Sequence, residues 1–488
     1  MILLKPTDRE FKGGQEDSIR AVIHCLQHGS VKGTGTARGV LLADEQGTGK
    51  TPCTIVTANT LGYQRILVVC PAALRQNWDI EIRRWQTLNH PVYHLRAENC
   101  GVYSPTFLRD LSCGWVIINY DILYKYPGIK DAAWDLVVCD EAIALKSHRA
   151  RRTTAVLGGV YNRKRIQPLI ANKYLFLSGT PIPNRIEEIT TLVEALDPDN
   201  WSFKQLFKEH YDERGRQVDE NRRVTGTPRN LHILQNKLRQ SVMVRSLKDE
   251  VLDLPPKTYE DRLIELPSLT MEIEFETKHL ARKILLGKLR KRGLSKAARQ
   301  DLRLKLNEIQ ELMIHMSGAC SFKIEAILQD LLQCKEKVVL FAYHHGVIQE
   351  YAERLRQAGR KVVVLTGDNT KQTQQIVQRF QSDPEVQFFI GNMKVAGQGI
   401  TLTAASLAVF AELDWSPGVM EQCEDRLHRI GQNKPVKVMR YLLEYSLDAV
   451  VAGALARKAH NSRIALNPQL RLVAGKSDEN IETKIPSR

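Results

Sequence analysis

The segment that most constrains this chain is a glycine-containing loop between an apolar run and a helical pattern. It reads Ala43-Asp-Glu-Gln-Gly-Thr-Gly-Lys-Thr51. Gly47 and Gly49 allow the backbone to turn tightly, so that main-chain N–H groups can point at one phosphate. Lys50 is then placed to reach the β- and γ-phosphates, and the Thr51 hydroxyl to ligate Mg²⁺. The order of strand, loop and helix predicts a nucleotide-binding domain.

An acidic pair follows another apolar run of the same block. Asp140 and Glu141 come directly after Leu136-Val-Val-Cys. At the end of a parallel strand, Asp140 can hold Mg²⁺ through water and Glu141 can polarise an attacking water. Alone, such a pair is often only the start of a helix, where acids suit the helix dipole. In the same block as a phosphate loop, it predicts a catalytic role.

Short apolar runs, rich in β-branched residues, divide the chain into two α/β blocks. Each run precedes a turn and a helical pattern, which is typical of buried parallel strands with crossover helices. The runs begin at Gly39, Arg65, Trp115, Leu136 and Tyr174 in the first block and at Lys337, Lys361, Val386, Ala408 and Val436 in the second. We therefore predict an α/β fold with two tandem parallel-sheet domains and helical insertions between them.

The region between the blocks is helical and basic. Lys278–Lys305 carries eleven Lys or Arg and one acid, Asp301. Such helices either contact phosphates or expose a solvated face, and the sequence leaves both open. The predicted division is a first domain at 1–255 with a helical insertion at about 187–250, a linker and basic helical protrusion at 256–320, a second domain at 321–463, and a mobile tail at 464–488.

Charge and composition narrow the partners and the compartment. The net charge of +15 attracts polyanions, nucleic acid first, although a basic surface without a ligand is the alternative. No apolar run approaches the roughly 20 residues that span a bilayer, and the start lacks the pattern of a secretory signal. The nine cysteines form no Cys-x-x-Cys pair. We therefore expect a cytoplasmic, non-secreted protein that contacts no membrane and contains neither zinc nor disulfides.

Two arginines near the end of the second block can complete an ATP site. The segment reads Gln422-Cys-Glu-Asp-Arg426-Leu-His-Arg429. On a helix, Gln422, Arg426 and Arg429 would share a face. Paired guanidinium groups stabilise the charge that develops in phosphoryl transfer, so both arginines are predicted to be catalytic. Gln422, which would share their face, is predicted to be catalytic with them. The alternative is a surface helix with ordinary arginines.

These motifs, in this order, resemble those of the Swi/Snf-type ATPases of helicase superfamily two, from about residue 10 to 460. The phosphate loop matches with Asp44 included, and His428-Arg-Ile-Gly-Gln432 is especially diagnostic. Phe410–Gly418 looks most like the compact fork-remodelling, annealing-helicase branch. The other matching segments are Val69–Trp78 with Glu81, Ile118–Leu123, Leu177–Asn184, Met243–Lys248, Leu254–Lys257 and Gly397–Ala404.

The resemblance implies two RecA-like lobes that use ATP and Mg²⁺ and that bind double-stranded or branched DNA as a monomer, in a bacterium or its virus. It implies that the nucleotide contacts are Gln15, Gly47, Thr48, Gly49, Lys50 and Thr51, with Thr51 and Asp140 on the metal. It implies that the DNA contacts are Trp78, Asn119, Tyr120, Ser178, Thr180, Lys248 and Thr401. Trp78 is equally a candidate for the core.

The function that this resemblance implies is ATP-dependent translocation on double-stranded DNA, which remodels branched DNA or displaces bound proteins. Efficient strand separation is not expected, because no separating wedge is identifiable. A strand-separating DNA or RNA helicase is one alternative. A DNA-binding scaffold with weak ATPase is another. It is supported by Ile143, which stands where the family usually has the histidine that links the ATP site to the segment matched by Leu177–Asn184.

Overall fold

The chain folds into two compact units in the computed structural model. The structure describes residues 2–99, 105–183, 185–210, 217–218, 224–225, 228–265, 269–290, 295–397 and 399–466. Unit 1 comprises the described residues of Met1–Glu45, Gly49–Leu247 and Lys458–Arg488, and unit 2 comprises those of Gln46–Thr48 and Lys248–Arg457. The main division falls at residue 247 instead of 255, and the predicted linker and basic protrusion belong to unit 2.

Unit 1 is built on a seven-stranded parallel sheet. The strands of this unit are β1 Gly39–Leu42, β2 Arg65–Cys70, β3 Val92–His94, β4 Gly114–Asn119, β5 Ala133–Cys139, β6 Gly159–Tyr161, β7 Lys164–Ile166, β8 Ile170–Leu177, β9 Gln217–Val218, β10 Val224–Thr225 and β11 Met243–Val244. The sheet order is β11-β1-β8-β5-β2-β4-β3, while β6 with β7 and β9 with β10 form two antiparallel hairpins.

Helices cover both faces of the sheet in unit 1. They are α1 Gln15–His28, α2 Lys50–Leu61, α3 Arg75–Trp85, α4 Pro105–Asp110, α5 Gly128–Asp131, α6 Arg151–Leu157, α7 Thr190–Leu196, α8 Phe203–His210 and α9 Leu231–Ser241. Successive strand residues enter different cores: Val68 packs with α1, α2 and α3, whereas Val69 packs with α6, α7 and α9. Because both faces are buried, the strands are continuous apolar runs, as the sequence predicts.

Unit 2 repeats this architecture with six parallel strands. They are β12 Lys257–Ile264, β13 Val338–Ala342, β14 Lys361–Leu365, β15 Val386–Asn392, β16 Leu407–Phe410 and β17 Val436–Leu443, in the order β12-β17-β16-β13-β15-β14. The helices are α10 Lys248–Val251, α11 Leu269–Arg290, α12 Lys296–Gly318, α13 Ser321–Gln333, α14 His345–Gln357, α15 Thr373–Ser382, α16 Met393–Ala396, α17 Pro417–Glu424 and α18 Asp448–Leu466, whose last residues belong to unit 1.

The structure confirms the predicted α/β fold with two tandem parallel sheets. All ten apolar runs are strands of the two parallel sheets, which contain β3, β11 and β12 in addition. β12 lies in the predicted linker and is an edge strand whose residues are mostly exposed, so it carries no apolar pattern. Of the predicted tail, 464–466 end α18, and 467–488 lie outside the described residues. Within the described part of the chain, no helix is both long and apolar enough to cross a membrane.

A buried ion pair joins four elements of unit 2. The Lys323 ammonium lies 2.8 Å from Oδ2 of Asp448, and these residues are 0% and 4% exposed. The Ser317 hydroxyl donates to the same oxygen at 2.6 Å, and the Leu443 N–H donates to it at 3.0 Å. The ends of α12 and β17 are therefore tied to α13 and to the start of α18.

Lys323→Ala should destabilise unit 2 by about 3–5 kcal/mol, because Asp448 would keep a buried charge without its counter-charge. Urea unfolding followed by circular dichroism measures this loss. Lys305→Ala is the control, since its ion pair with Asp301 is 58% and 59% exposed and should cost less than about 1 kcal/mol. Equal unfolding free energies for the two variants would contradict a stabilising role for the buried pair.

Candidate nucleotide site and acidic box

The phosphate loop has a left-handed backbone at two glycines. The φ angles of Gly47 and Gly49 are +85° and +93°, a region that residues with a Cβ rarely adopt. A Cβ at Gly49 would lie 2.1 Å from Nε2 of Gln15. The side chain of Gln15, the predicted adenine contact, therefore lies directly against the loop. Gly49 also precedes the first residue of α2, so the N-terminus of that helix faces the loop.

Lys50 and Asp44 hold the loop in shape. The Lys50 ammonium donates to the carbonyl oxygens of Asp44 and Glu45, at 2.7 and 3.0 Å. The Asp44 carboxylate is 3% exposed and accepts the Ser246 N–H at 2.7 Å. Burial raises the pKa of Asp44. Asp44, which stands where such a loop usually has its first glycine, therefore anchors the loop to the segment after β11.

The acidic box emerges at the same edge of the sheet as the phosphate loop. Leu42 of β1 pairs with Leu177 of β8, and Cys139 of β5 pairs with Phe176 of the same strand. The residues that follow β1 and β5 therefore leave the sheet side by side, because parallel strands end at one edge. The box begins at Asp140, directly after this edge.

The Asp140 carboxylate is held by a hydrogen bond to each oxygen. The Trp78 indole N–H donates to Oδ2 at 2.8 Å, and the Glu141 N–H donates to Oδ1 at 2.9 Å. Burial, and then the charge of Glu141, raise the pKa of Asp140 to about 6. Glu141 has a φ of +49°, a left-handed conformation that is costly for a residue other than glycine and that clusters at functional sites.

These residues fit ATP with Mg²⁺. The N-terminus of α2 and the Lys50 ammonium both lie at the loop, where they would meet a bound phosphate. Thr51 and Asp140 supply hard oxygen donors of the kind that Mg²⁺ prefers. When bound, Mg²⁺ would neutralise charge on the phosphate oxygens. Among the described residues, no cluster of three or more His, Cys, Asp or Glu side chains is arranged to hold a metal ion.

The arginines of unit 2 converge, but not on a helix face. α17 ends at Glu424, before Arg426 and Arg429, so the predicted helical register with Gln422 is wrong. Beyond the helix end, the Arg426 carbonyl accepts the N–H of Leu402, from the loop before β16, at 2.8 Å. The guanidinium groups nevertheless meet at the Ile400 carbonyl, at 3.4 Å from Arg426 and 3.1 Å from Arg429. Burial, and then the charge of Arg426, lower the pKa of Arg429 to about 10.

Two lysines fix the acids that precede the arginines. The Lys248 ammonium lies 2.6 Å from Asp425 and donates to the His428 carbonyl at 2.9 Å. The Lys257 ammonium lies 2.9 Å from Glu424. Burial opposes the ionisation of Asp425, but Lys248 and Lys257 lower its pKa overall. The acids at 424 and 425 were not predicted as functional, since their partners lie far away in sequence.

Three of the predicted DNA contacts are buried and bonded to other groups of the protein. Lys248 is 4% exposed and paired, so its charge is engaged inside unit 2. Trp78 is fully buried, which is the core alternative that the sequence left open. Tyr120 is 4% exposed, and its hydroxyl donates to the Asp140 carbonyl at 2.8 Å. These side chains contact the acidic box or the arginine segment, and their role in DNA binding stays a prediction.

The remaining predicted DNA contacts lie near the ends of strands. Asn119 ends β4, Ser178 and Thr180 follow β8, and all three are buried. Thr401 is half-buried in the loop before β16. Their role in DNA binding stays a prediction.

The acidic box remains connected to the segment after β8 although Ile143 replaces the usual histidine. The Thr191 hydroxyl donates to the Lys146 carbonyl at 3.0 Å. The Lys146 ammonium lies 2.9 Å from Glu188. The box is therefore tied to α7 and to the turn before it, through Lys146 and not through position 143.

Two parallel-sheet units, one with a phosphate loop and an acidic box and the other with paired arginines, define the two-lobed helicase-like ATPases. The chain matches the profile of the SNF2-related domain over residues 15–321 and that of the helicase conserved C-terminal domain over residues 323–431. It belongs to the SNF2-related family, which confirms the predicted Swi/Snf-type membership.

The chain is similar to longer curated proteins. It is 30% identical over 440 residues to the DNA annealing helicase and endonuclease ZRANB3 of Bos taurus, covering 88% of this chain and 39% of that protein. It is 28% identical over 411 residues to the SWI/SNF-related matrix-associated actin-dependent regulator of chromatin subfamily A-like protein 1 of Xenopus tropicalis, covering 82% and 40%. The chain thus spans about two fifths of the length of these relatives.

A solved structure also matches along nearly the whole chain. It is the Sulfolobus solfataricus SWI2/SNF2 ATPase core in complex with dsDNA, at 19% identity and a TM-score of 0.43, covering 96% of this chain and 99% of that one.

Asp140→Asn should stabilise the protein at neutral pH in EDTA, because the ionised carboxylate is disfavoured in the folded state. Its pKa is raised to about 6, against about 3.9 when unfolded. The free energy of unfolding of the wild type should therefore fall relative to the variant as the pH rises from about 4 to 6. The difference should then level off at about 1–3 kcal/mol.

Urea unfolding at pH 4.5 and at pH 7.5 measures this difference. The increase in the free energy of unfolding of Asp140→Asn over that of the wild type should be clearly larger at pH 7.5 than at pH 4.5. The same gain at both pH values would contradict a raised pKa and indicate that the variant acts through packing alone.

Proposed function

We propose that this chain is an ATP-dependent translocase on double-stranded DNA that remodels branched DNA or displaces bound proteins without efficient strand separation. One observation carries the proposal. A folded phosphate loop lies close to the acidic pair Asp140 and Glu141, as an SNF2-related ATPase requires. Similarity to a protein named as a DNA annealing helicase supports the choice of DNA as the track and of branched DNA as the substrate.

Each residue of the nucleotide site has a distinct proposed role. Lys50 and the amides of the loop bind the phosphates, and Gln15 contacts the adenine. Thr51 and Asp140 hold Mg²⁺, while Glu141 orients and polarises the attacking water. Arg426 and Arg429 stabilise charge on the phosphates, which is consistent with two guanidinium groups that meet at one carbonyl.

DNA is proposed to bind mainly through its phosphates. The net charge of +15 supports this mode of binding. Phosphate contacts give little sequence specificity, and the affinity that they provide falls steeply as the salt concentration rises. Within unit 2, the helices α11 and α12 contain most of the basic segment 278–305, so they are candidate phosphate contacts. The proposed form is a monomer.

Lys50→Ala should reduce DNA-stimulated phosphate release on the order of 10²-fold or more, because the variant loses the cation placed on the phosphates. The matched control is Lys32→Ala, an exposed lysine of the same unit, and it should keep full activity. Wild-type turnover by the Lys50 variant would refute the assignment of the phosphate loop.

The substrate is tested by measuring the wild-type ATPase rate with duplex, forked and single-stranded DNA and with RNA at one fixed salt concentration. Duplex and forked DNA should stimulate most, while a strand-displacement assay on a forked duplex should show little unwinding. Efficient unwinding would establish the helicase alternative. Failure of every DNA to stimulate would favour the scaffold with weak ATPase.

A further inference from the structure

The helix α3 connects a polar surface of unit 1 to the acidic box. Gln76 and Asn77 are exposed, whereas Trp78, the next residue, is fully buried. The Trp78 indole N–H reaches Oδ2 of Asp140 at 2.8 Å. Residues that face solvent are therefore adjacent, within one turn of α3, to a donor bound to the Asp140 carboxylate.

The indole is suited to fix the orientation of a carboxylate. It is a donor only, so it cannot exchange roles with its acceptor. Trp78 packs among Ile82, Trp115 and other members of a close-packed core, which prevents the ring from rotating. Because the second carboxylate oxygen accepts the Glu141 N–H, both oxygens of Asp140 are held while each keeps a lone pair for a cation.

We propose that Trp78 is a positioning residue that sets the orientation of Asp140 toward Mg²⁺ and transmits movements of α3 to it. This inference rests on the proposed function. The hydrogen bond from Trp78 to Asp140 would couple the Val69–Trp78 motif to the ATP site without a histidine at position 143. A purely structural alternative is that the indole only satisfies a buried carboxylate.

The variant Trp78→Phe removes the donor and keeps an aromatic ring in the core. The matched control is Trp85→Phe in the same helix, since the Trp85 indole is 8% exposed and makes no hydrogen bond to a described residue. The first measurement is the Mg²⁺ dependence of fluorescent ADP binding. Loss of a group that orients a metal ligand typically costs about 10–100-fold in metal affinity, so Trp78→Phe should weaken Mg²⁺ binding in that range.

The second measurement is the ratio of DNA-stimulated to basal ATPase, which should fall for Trp78→Phe and stay unchanged for Trp85→Phe. Unchanged Mg²⁺ affinity in the Trp78 variant, or an equal loss in both variants, would overturn the inference. If Trp78→Phe does not fold, Tyr120→Phe, which loses the bond to the Asp140 carbonyl, should weaken Mg²⁺ binding by a smaller factor, and no change there would also overturn it. A wild type that DNA does not stimulate would instead refute the proposed function.

A second, independent feature is a basic hairpin that precedes β8, at the start of the strands in the seven-stranded sheet of unit 1. The acidic box follows the ends of those strands. β6 and β7 pair around the two-residue turn Asn162-Arg163, in which both residues are left-handed, with φ of +48° and +63°. Such a turn matches the twist of a hairpin. Arg163, Lys164 and Arg165 are consecutive and exposed, and none forms an ion pair with a described residue. The hairpin and its turn, 159–166, contain no acid.

The position of this basic hairpin excludes a role in the ATP site. It leads into β8, whose first residue, Ile170, pairs with Ala133, the first residue of β5. Asp140 follows the last residue of β5. At about 3.3 Å per residue, the length of β5 places roughly 20 Å between the two edges of the sheet. The three cations therefore address a ligand other than the nucleotide.

We infer that the basic hairpin contacts the phosphate backbone of a second duplex arm when the protein binds branched DNA. This inference also rests on the proposed function. Three exposed, unneutralised cations on a narrow ribbon suit phosphates, which such side chains bind by releasing counterions. A fork or junction has a second duplex arm, which a short linear duplex lacks.

The test replaces Arg163, Lys164 and Arg165 together by Gln. A control with the same charge change replaces Lys335, Arg356 and Lys371, exposed cations of unit 2. At fixed salt, the hairpin variant should bind forked DNA about tenfold more weakly than wild type does, with a salt dependence smaller by up to about 2.7 in log–log slope. Its affinity for a short linear duplex should change little.

Equal losses on forked and linear DNA, or no loss on the fork beyond that of the control, would overturn the inference. Since binding is measured without ATP, the result does not depend on turnover. A wild type that binds forks but lacks DNA-stimulated ATPase would refute the proposed function and leave the hairpin result standing.

Discussion

The Asp140 carboxylate links the core helix α3, the acidic box and the phosphate loop of unit 1. A charged group inside a protein is costly unless fixed donors replace the water that it loses. Trp78 and the Glu141 amide supply those donors, and the Lys50 charge favours the ionised form. The core helix α3, the left-handed Glu141 and the shape of the phosphate loop are thus parts of one arrangement. Its raised pKa shows that the compensation is incomplete, as is common where function sets the structure.

In unit 2, buried charges are compensated by ion pairs between acids and lysines. Glu424 and Asp425 end α17 and are paired with Lys257 and Lys248, while Arg426 and Arg429 follow them. The acids and lysines neutralise one another inside the unit. The two arginines are then held close together by the Ile400 carbonyl, despite their mutual repulsion. A buried scaffold of ion pairs therefore positions cations suited to an anionic ligand.

The fold was predictable from the sequence because strands buried on both faces are continuous apolar runs. β12 was missed because an exposed edge strand needs no such pattern. The phosphate loop and the acidic pair were predictable because local spacing defines them. The roles of Trp78, Tyr120 and Lys248 were not, because burial and partners far along the chain decide whether a polar side chain meets a ligand or the core. The role of the two arginines stays a prediction, and the predicted helix ends before them, at Glu424.

The bond between Trp78 and Asp140 also has a spectroscopic consequence. The chain has six tryptophans, and the indole of Trp78 donates to a carboxylate oxygen. The proton resonance of an indole N–H shifts with the charge of its acceptor and with the length of the bond. One signal in a nuclear magnetic resonance spectrum would thus follow the state of Asp140, the acid proposed to hold Mg²⁺, without an introduced label.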